Sequence, residues 1–179
     1  IGGGLLAGQD VLVTETFAAG SRPHQRTSVV KTDRDGAFSL RLGPGPSRDV
    51  VTRFTGTSLL SRATSDAAHI EAATKVRLRS SAATARVGGR PVVFGGRVGH
   101  RGAATVAGLP VELQFRFRGS DWSEFRTVET DARGRFRYRY RFSDDDSRGV
   151  RFQFRAHVKG REGWPYGPGT SRPVKVTGR

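Results

Sequence analysis

The sequence predicts an all-β protein made of two tandem antiparallel β-sandwich domains, and two observations support this fold class. First, apolar and polar residues alternate along most of the chain, which is the pattern of half-buried strands. Second, a segment beginning at Val30 recurs about 100 residues later at Val128, with Val, Thr, Asp, Gly and Phe in the same register. A repeat of this length matches a whole small domain and is too long for one turn of a solenoid.

Each half of the chain carries the same two short motifs. An A-G-x-x-V segment occupies 7–11 and 107–111, and a T-D-x-x-G-x-F segment occupies 32–38 and 130–136. The aspartate can cap a type I turn and the glycine can take the left-handed conformation, so we expect each T-D-x-x-G-x-F segment to close a bulged hairpin. Calcium is not expected, because two carboxylates are too few for a calcium loop and the second copy has lost one of them.

The predicted boundary between the domains lies near residue 72. The second domain, 73–179, shows seven strand patterns, which is the count for a sandwich of two antiparallel sheets. These lie near 75–80, 91–98, 109–117, 124–130, 134–142, 149–159 and 171–178. The first domain, 1–72, shows four, so we expect its opening strand to be missing or shortened. These lie near 9–17, 27–32, 37–42 and 49–55. The one stretch with a possible helical pattern, 65–73, is interpreted as the junction.

Composition restricts the chemistry and suggests charged partners. The 179 residues include 31 Lys and Arg against 16 Asp and Glu, a formal charge of +15, and no Cys, which excludes disulfides and thiolate chemistry. The arginine excess has two open explanations, the codon usage of a GC-rich genome and a surface that holds anions. No run of 18 apolar residues is present, so no membrane span is expected. Because the chain does not begin with Met, we expect a processed product or part of a longer protein.

The candidate binding surface consists of two basic rows in the second domain. On two consecutive predicted strands, basic residues alternate with aromatic and aliphatic residues that belong to the core. If these strands pair through 143–148, both rows lie side by side on one sheet face. The candidate residues are Arg135, Arg137, Arg139, Arg141, Arg151, Arg155 and Lys159. Such a face can hold polyanion backbones without reading sequence, because the aromatic residues point into the core. An ordinary solvated sheet face is the alternative interpretation.

No catalytic, cofactor or metal site is expected. The chain has no nucleophile elbow, phosphate-binding glycine loop or HExxH motif, and its four histidines lie on different predicted elements without ligand spacing. The acidic run at 144–146 is expected to keep a turn solvated. Trp122 and Trp164 could stack on sugar rings, but packing against the sheets is the favoured interpretation.

The combination of G-x-x-V-x-V with T-D-x-x-G-x-F resembles the carboxypeptidase-regulatory-like (transthyretin-like) and bacterial immunoglobulin-like domains that occur in tandem in large secreted actinobacterial proteins. The second half carries the closer match, including the segments 92–98 and 130–136 and Trp122 ahead of Phe125. The resemblance implies immunoglobulin-like sandwiches, an extracellular or cell-surface location, and a role as an accessory module, spacer or adhesive surface. Its motifs are fold signals and identify no active site.

Three hypotheses for function follow. The first is a non-enzymatic extracellular structural module of a cell-surface protein or filament, whose partners are other copies of itself or neighbouring domains. In its specific form, a subunit lacking one strand is completed by an extended segment of a neighbour, which polymerises the chain. The alternative is an arginine-rich module that binds acidic cell-wall polymers, polysaccharide or DNA, without sequence-specific recognition of nucleic acid. The third is an accessory domain of a secreted enzyme.

Overall fold

The computed structural model of the protein describes residues 6–18, 24–99, 107–160 and 164–179. The protein is all-β with several antiparallel sheets, which confirms the predicted all-β antiparallel class. The chain divides into two compact units. Unit 1 comprises Ile1–Ala72 and Gly163–Tyr166, and unit 2 comprises Ala73–Glu162 and Gly167–Arg179. A short segment from the end of the chain therefore belongs with the first unit, which the sequence did not indicate.

Unit 1 contains one antiparallel sheet of five strands. The strands are β1 (Asp10–Phe17), β2 (Gln25–Lys31), β3 (Arg48–Phe54), β4 (Ala63–Thr64) and β5 (Ala68–Ile70). Their order is β2-β1-β3-β4, and β5 pairs with the other end of β3. Val11, Val13 and Glu15 alternate on one face of β1 and are buried. The Glu15 carboxylate forms two ion pairs there, 2.6 Å from Arg26 Nη2 and 2.8 Å from Arg48 Nε.

Unit 2 contains a six-stranded sheet and a three-stranded sheet. The strands are β6 (Val76–Ser80), β7 (Thr84–Ala85), β8 (Val92–Val98), β9 (Pro110–Arg116), β10 (Ser123–Glu129), β11 (Arg135–Tyr140), β12 (Arg151–Val158), β13 (Gly169–Thr170) and β14 (Val174–Gly178). The larger sheet has the order β10-β9-β12-β14-β7, with β13 beside β12, and the smaller sheet has the order β11-β8-β6. Strands are thus observed at all the positions predicted for the second domain.

The two sheets of unit 2 pack face to face across an aromatic core. The ring centroids of Phe94 on β8 and Phe154 on β12 are 4.5 Å apart, and those of Phe125 on β10 and Tyr140 on β11 are 5.3 Å apart. Each pair joins one sheet to the other in the tilted or edge-on geometry that aromatic rings prefer. Unit 2 is therefore a β-sandwich.

The repeated motifs bind to each other in the same way in both units. The N–H of Gly8 donates to the carbonyl of Thr32 at 2.9 Å, and the N–H of Gly108 donates to the carbonyl of Thr130 at 2.7 Å. In the turn that follows, the Asp131 Oδ1 accepts from two backbone N–H groups at 2.8 Å each. Gly134 has φ 69°, so the left-handed glycine predicted for this turn is confirmed.

The prediction that these turns close hairpins is wrong. In unit 2 the turn joins β10, in the larger sheet, to β11, in the smaller sheet. The predicted pairing of β11 with β12 is also wrong, because β11 pairs with β8 whereas β12 pairs with β9 and β14. Strands that face each other in opposite sheets can bury both of their aromatic rows at once. The ring centroids of Tyr140 on β11 and Phe154 on β12, for example, are 5.8 Å apart.

The predicted strand over 37–42 in unit 1 is also wrong. Residues 37–42 do not form a strand, although Phe38, Leu40 and Leu42 alternate. The corresponding segment of unit 2, β11, pairs with β8, and the described residues of unit 1 hold no counterpart of β8 ahead of β1. The stretch 65–73 holds the strand β5, because pairing with β3 satisfies its backbone better than an isolated helix of two turns could.

Candidate polyanion-binding face

The two predicted basic rows lie on opposite outer faces of the unit 2 sandwich. Arg135, Arg137 and Arg139 belong to β11 in the three-stranded sheet, whereas Arg151 and Arg155 belong to β12 in the six-stranded sheet. Since the inner faces of the two sheets meet in the aromatic core, their outer faces point away from each other. The predicted single surface made of both rows is therefore wrong.

The β11 row instead joins arginines of the two strands beside it. In the sheet register Arg135 pairs with Arg97 of β8, and Arg97 pairs with Arg77 of β6. One step along the strands, Arg137 and Arg79 flank Gly95 of β8. Directly paired residues of antiparallel strands project to the same side. We call the resulting surface the arginine face; its residues are Arg77, Arg79, Arg97, Arg135, Arg137 and Arg139, all exposed.

A shallow trough runs along the middle of the arginine face. Its floor is Gly95 with Val93, its walls are the arginines of β6 and β11, and Arg97 stands at one end. Arginines on one wall are about 7 Å apart, and the two walls are about 10 Å apart, two strand spacings. A depression of about 590 Å³ occupies this part of the surface. We call it the Gly95 trough.

The arginine face carries an excess of positive charge. None of the ion pairs among the described residues involves any of its six guanidinium groups. At the β11 edge, the carboxylates of Glu129 and Asp131 line a depression together with Arg135. The pKa of Asp131 is held below its usual range, first by the hydrogen bond from the backbone N–H of Arg135 and then by that from Arg133 and by the charges of both arginines.

In the β12 row, Arg155 contacts side chains of its own sheet and of the segment before β10. The guanidinium carbons of Arg155 and Arg116 lie 4.1 and 4.6 Å from the ring centroid of Trp122, so the indole packs against arginines. Arg155 Nε also donates to Gln114 Oε1 at 2.8 Å. Burial, followed by the nearby charge of Arg116, lowers the pKa of Arg155. These arginines are held in place by the sheet and by the indole.

The remaining candidate residues do not complete a second face. Lys159 Nζ lies 2.6 Å from Glu112 Oε1, and this hydrogen-bonded pair raises the pKa of Lys159 and lowers that of Glu112. Arg151 is exposed at the start of β12, and Arg141 is exposed one residue beyond the end of β11. Lys159 is thus the one candidate residue with a direct carboxylate partner among the described residues.

Three residues of the arginine face were missed by sequence reasoning. Arg77 and Arg79 alternate with Val76 and Leu78, and this pattern marks them as outward-facing in the same way as the β11 row. Arg97 lies in the predicted strand over 92–98. The signal that could have found them is the same alternation, but the order of the strands was needed to bring them together.

Other candidate chemistry has structural explanations. Trp164 is buried beside Tyr166, with ring centroids 5.3 Å apart, in unit 1. Asp144 caps the 3₁₀ turn Asp145–Ser147 by accepting from the N–H of Asp146 at 3.0 Å. The described residues contain no group of three His, Asp or Glu side chains placed to hold a metal ion. Within the same residues, no helix has the length and apolarity needed to cross a bilayer.

Comparisons with known proteins name no family. No protein-family model matches the chain, and no curated protein matches it. The resemblance to carboxypeptidase-regulatory-like and immunoglobulin-like domains therefore stays a prediction, and the functional argument depends on the geometry of the arginine face.

Proposed function

We propose that the chain is a non-enzymatic, extracellular β-sandwich module that binds linear polyanions on the arginine face of unit 2. The observation that carries this proposal is that six arginines from three adjacent strands share one sheet face without a carboxylate between them. Like charges placed directly opposite in a sheet are destabilising, and a bound polyanion relieves this repulsion. Guanidinium groups also hold phosphate and carboxylate through paired hydrogen bonds.

The test is a titration of the chain with a single-stranded oligothymidylate, used as a generic polyanion, over a range of salt concentrations. Neutralising four to six charges predicts a slope of log K against log salt of about −3 to −4. The double variant Arg79→Gln with Arg137→Gln removes one arginine from each wall of the trough. It should make the slope shallower by about 1 to 1.5 and weaken binding at low salt.

The control is the double variant Arg118→Gln with Arg172→Gln, which removes the same net charge at exposed positions outside the arginine face. If binding depends only on the net charge of the chain, both double variants will lose affinity equally, and the proposed site is refuted. Loss confined to the Arg79 and Arg137 variant supports the site, because it shows that position matters as well as charge.

A second candidate function, a structural subunit of a cell-surface protein or filament, is favoured by the apolar surface of unit 1. Of the six large apolar residues that are exposed among the described residues, five belong to unit 1. These are Leu6, Val29, Phe38, Leu40 and Leu59. A depression of about 380 Å³ lies between Phe38, Val11 and Phe54. Exposed apolar surface of this kind marks sites of association, and completion by an extended segment of another copy would bury it.

The test of this second candidate is light scattering of the chain at increasing protein concentration. Self-association through unit 1 predicts a molar mass that rises with concentration and returns to the monomer value in the double variant Phe38→Ser with Leu40→Ser. Phe117→Ser, at the exposed apolar residue of unit 2, is the matched control and should associate as the unsubstituted chain does. A monomer at every concentration would count against polymerisation.

A further inference from the structure

We propose that the Gly95 trough binds one extended polyol-phosphate chain, of the kind found in acidic wall polymers, in preference to duplex or single-stranded nucleic acid. This inference rests on the proposed function, because it names the polyanion that the arginine face is shaped for. Three features of the trough support it: its width, the nature of its walls and the absence of rings from its lining.

The trough is wide enough for one thin chain. Its two walls stand about 10 Å apart at the backbone. A chain lying along β8 contacts arginines on both sides, whereas a duplex is too wide and too stiff to reach the floor. The duplex would touch only the tips of the arginines.

The walls recognise full negative charges at regular intervals. Arg79 and Arg137 face each other across Gly95, and Arg77 and Arg135 stand one step along on either side of Arg97. A phosphodiester carries its charge at every physiological pH and accepts paired hydrogen bonds from guanidinium. A flexible polyol linker lets successive phosphates adjust to arginines about 7 Å apart along each wall.

A neighbouring depression at the β11 edge, which shares Gly95, Arg135 and Arg137 with the trough, is also lined by Glu129, Asp131 and Phe136. The lining of the trough itself offers no ring and no carboxylate or carboxamide oxygen. Apart from arginines it consists of Ser80, Ser81, Val93, Gly95 and Gly96. The aromatic residues of β8 and β11, Phe94, Phe136, Tyr138 and Tyr140, lie on the inner side of the sheet. Bases of a single strand therefore have no aromatic platform to stack on, and stacking is a main source of affinity for single-stranded nucleic acid. A chain that consists of phosphates and small linkers has no bases to stack, so the absence of rings does not lower its affinity.

A substitution at Gly95 can fill the floor of the trough without disturbing the sheet. A Cβ added at this position would meet no heavy atom closer than 3.9 Å, and the residue does not have positive φ. Gly95→Leu therefore fits the sheet and fills the floor with a side chain. Val93→Phe fills the floor at the next position and provides a second, independent obstruction.

The experiment compares three probes with equal numbers of phosphates: a synthetic glycerol-phosphate oligomer, oligothymidylate and a DNA duplex. Each is titrated against the chain and against Gly95→Leu, Val93→Phe and Gly95→Ala at constant salt, after circular dichroism has shown that the variants are folded. We expect Gly95→Leu and Val93→Phe to weaken glycerol-phosphate binding about tenfold, equivalent to about 1.4 kcal/mol, and Gly95→Ala to change it less than about twofold. Duplex binding should change less than about twofold in all of them, because a duplex stays above the floor.

The outcomes separate this inference from the proposed function. If neither obstruction weakens glycerol-phosphate binding although Arg79→Gln with Arg137→Gln does, the arginine face binds polyanions but the trough is not the site, and this inference is overturned alone. Binding of oligothymidylate about tenfold tighter than the glycerol-phosphate oligomer overturns the assignment to a polyol phosphate. Absence of binding by all three probes overturns both proposals.

Discussion

Gly95 and Gly96 are neighbours on β8 that point to opposite sides of the three-stranded sheet, and only one of them has to be glycine. A Cβ at Gly96 would lie 2.2 Å from the carbonyl oxygen of Arg77 and 2.2 Å from the ring of Phe136. The Phe136 ring thus occupies the space that a side chain on β8 would need. At Gly95 the nearest atom is 3.9 Å away. Because Gly95 has no side chain, the trough stays open. Because Gly96 has none, the Phe136 ring fits into the core beside it.

We therefore expect the two alanine substitutions to differ in stability. Gly96→Ala should lower the free energy of unfolding of unit 2 by about 1 to 3 kcal/mol, because the backbone or Phe136 must move. Gly95→Ala should change it by no more than about 0.5 kcal/mol, because the added methyl group meets no heavy atom closer than 3.9 Å. Urea unfolding followed by circular dichroism measures both. Equal effects at the two positions would show that the close contact at Gly96 relaxes without cost.

At the scale of the strands, the sequence predicts which side of a strand a residue faces but not which strand lies beside it. Alternation placed the arginines of β11 outward and Phe136 inward correctly. It also suggested that β11 pairs with the next strand along the chain, whereas the structure pairs it with β8. A period of two specifies the two faces of a strand; strand order depends on how aromatic rows are buried in three dimensions. The arginine face could therefore be predicted only in part.

The segment 37–42 shows that an alternating pattern can be present where no strand forms. It has the alternating apolar residues of a strand, as its counterpart β11 has, yet it forms no strand, and Phe38 and Leu40 remain 42 % and 38 % exposed. A strand needs a partner for its backbone hydrogen bonds, and the described residues of unit 1 provide none at this place. An alternating local pattern is thus not sufficient for a strand.

Across the whole molecule, the apolar core is divided unequally between the two units. Among the described residues, fifteen buried apolar residues belong to unit 2 and four to unit 1. The four are Val11, Val13, Trp164 and Tyr166. Fully burying a large side chain stabilises a fold by about 1.5 to 3 kcal/mol, so unit 2 holds most of the hydrophobic stabilisation. Unit 1 also holds the buried carboxylate of Glu15, which pairs with the half-exposed Arg26 and with the buried Arg48. Burying such charges is costly in desolvation, so these pairs add little to the stability of unit 1.

This inequality predicts that unit 1 unfolds at a lower denaturant concentration than unit 2, and the two tryptophans allow each unit to be followed by itself. Trp164 lies in unit 1 and Trp122 in unit 2. In Trp122→Phe, fluorescence reports unit 1, and in Trp164→Phe it reports unit 2. We expect the urea midpoint of the Trp164 signal to lie below that of the Trp122 signal, because regions with few buried apolar contacts open first. Circular dichroism of both variants checks that neither substitution itself shifts the main transition. Coincident midpoints would mean that the two units unfold cooperatively, so that the stability of the small core of unit 1 depends on unit 2.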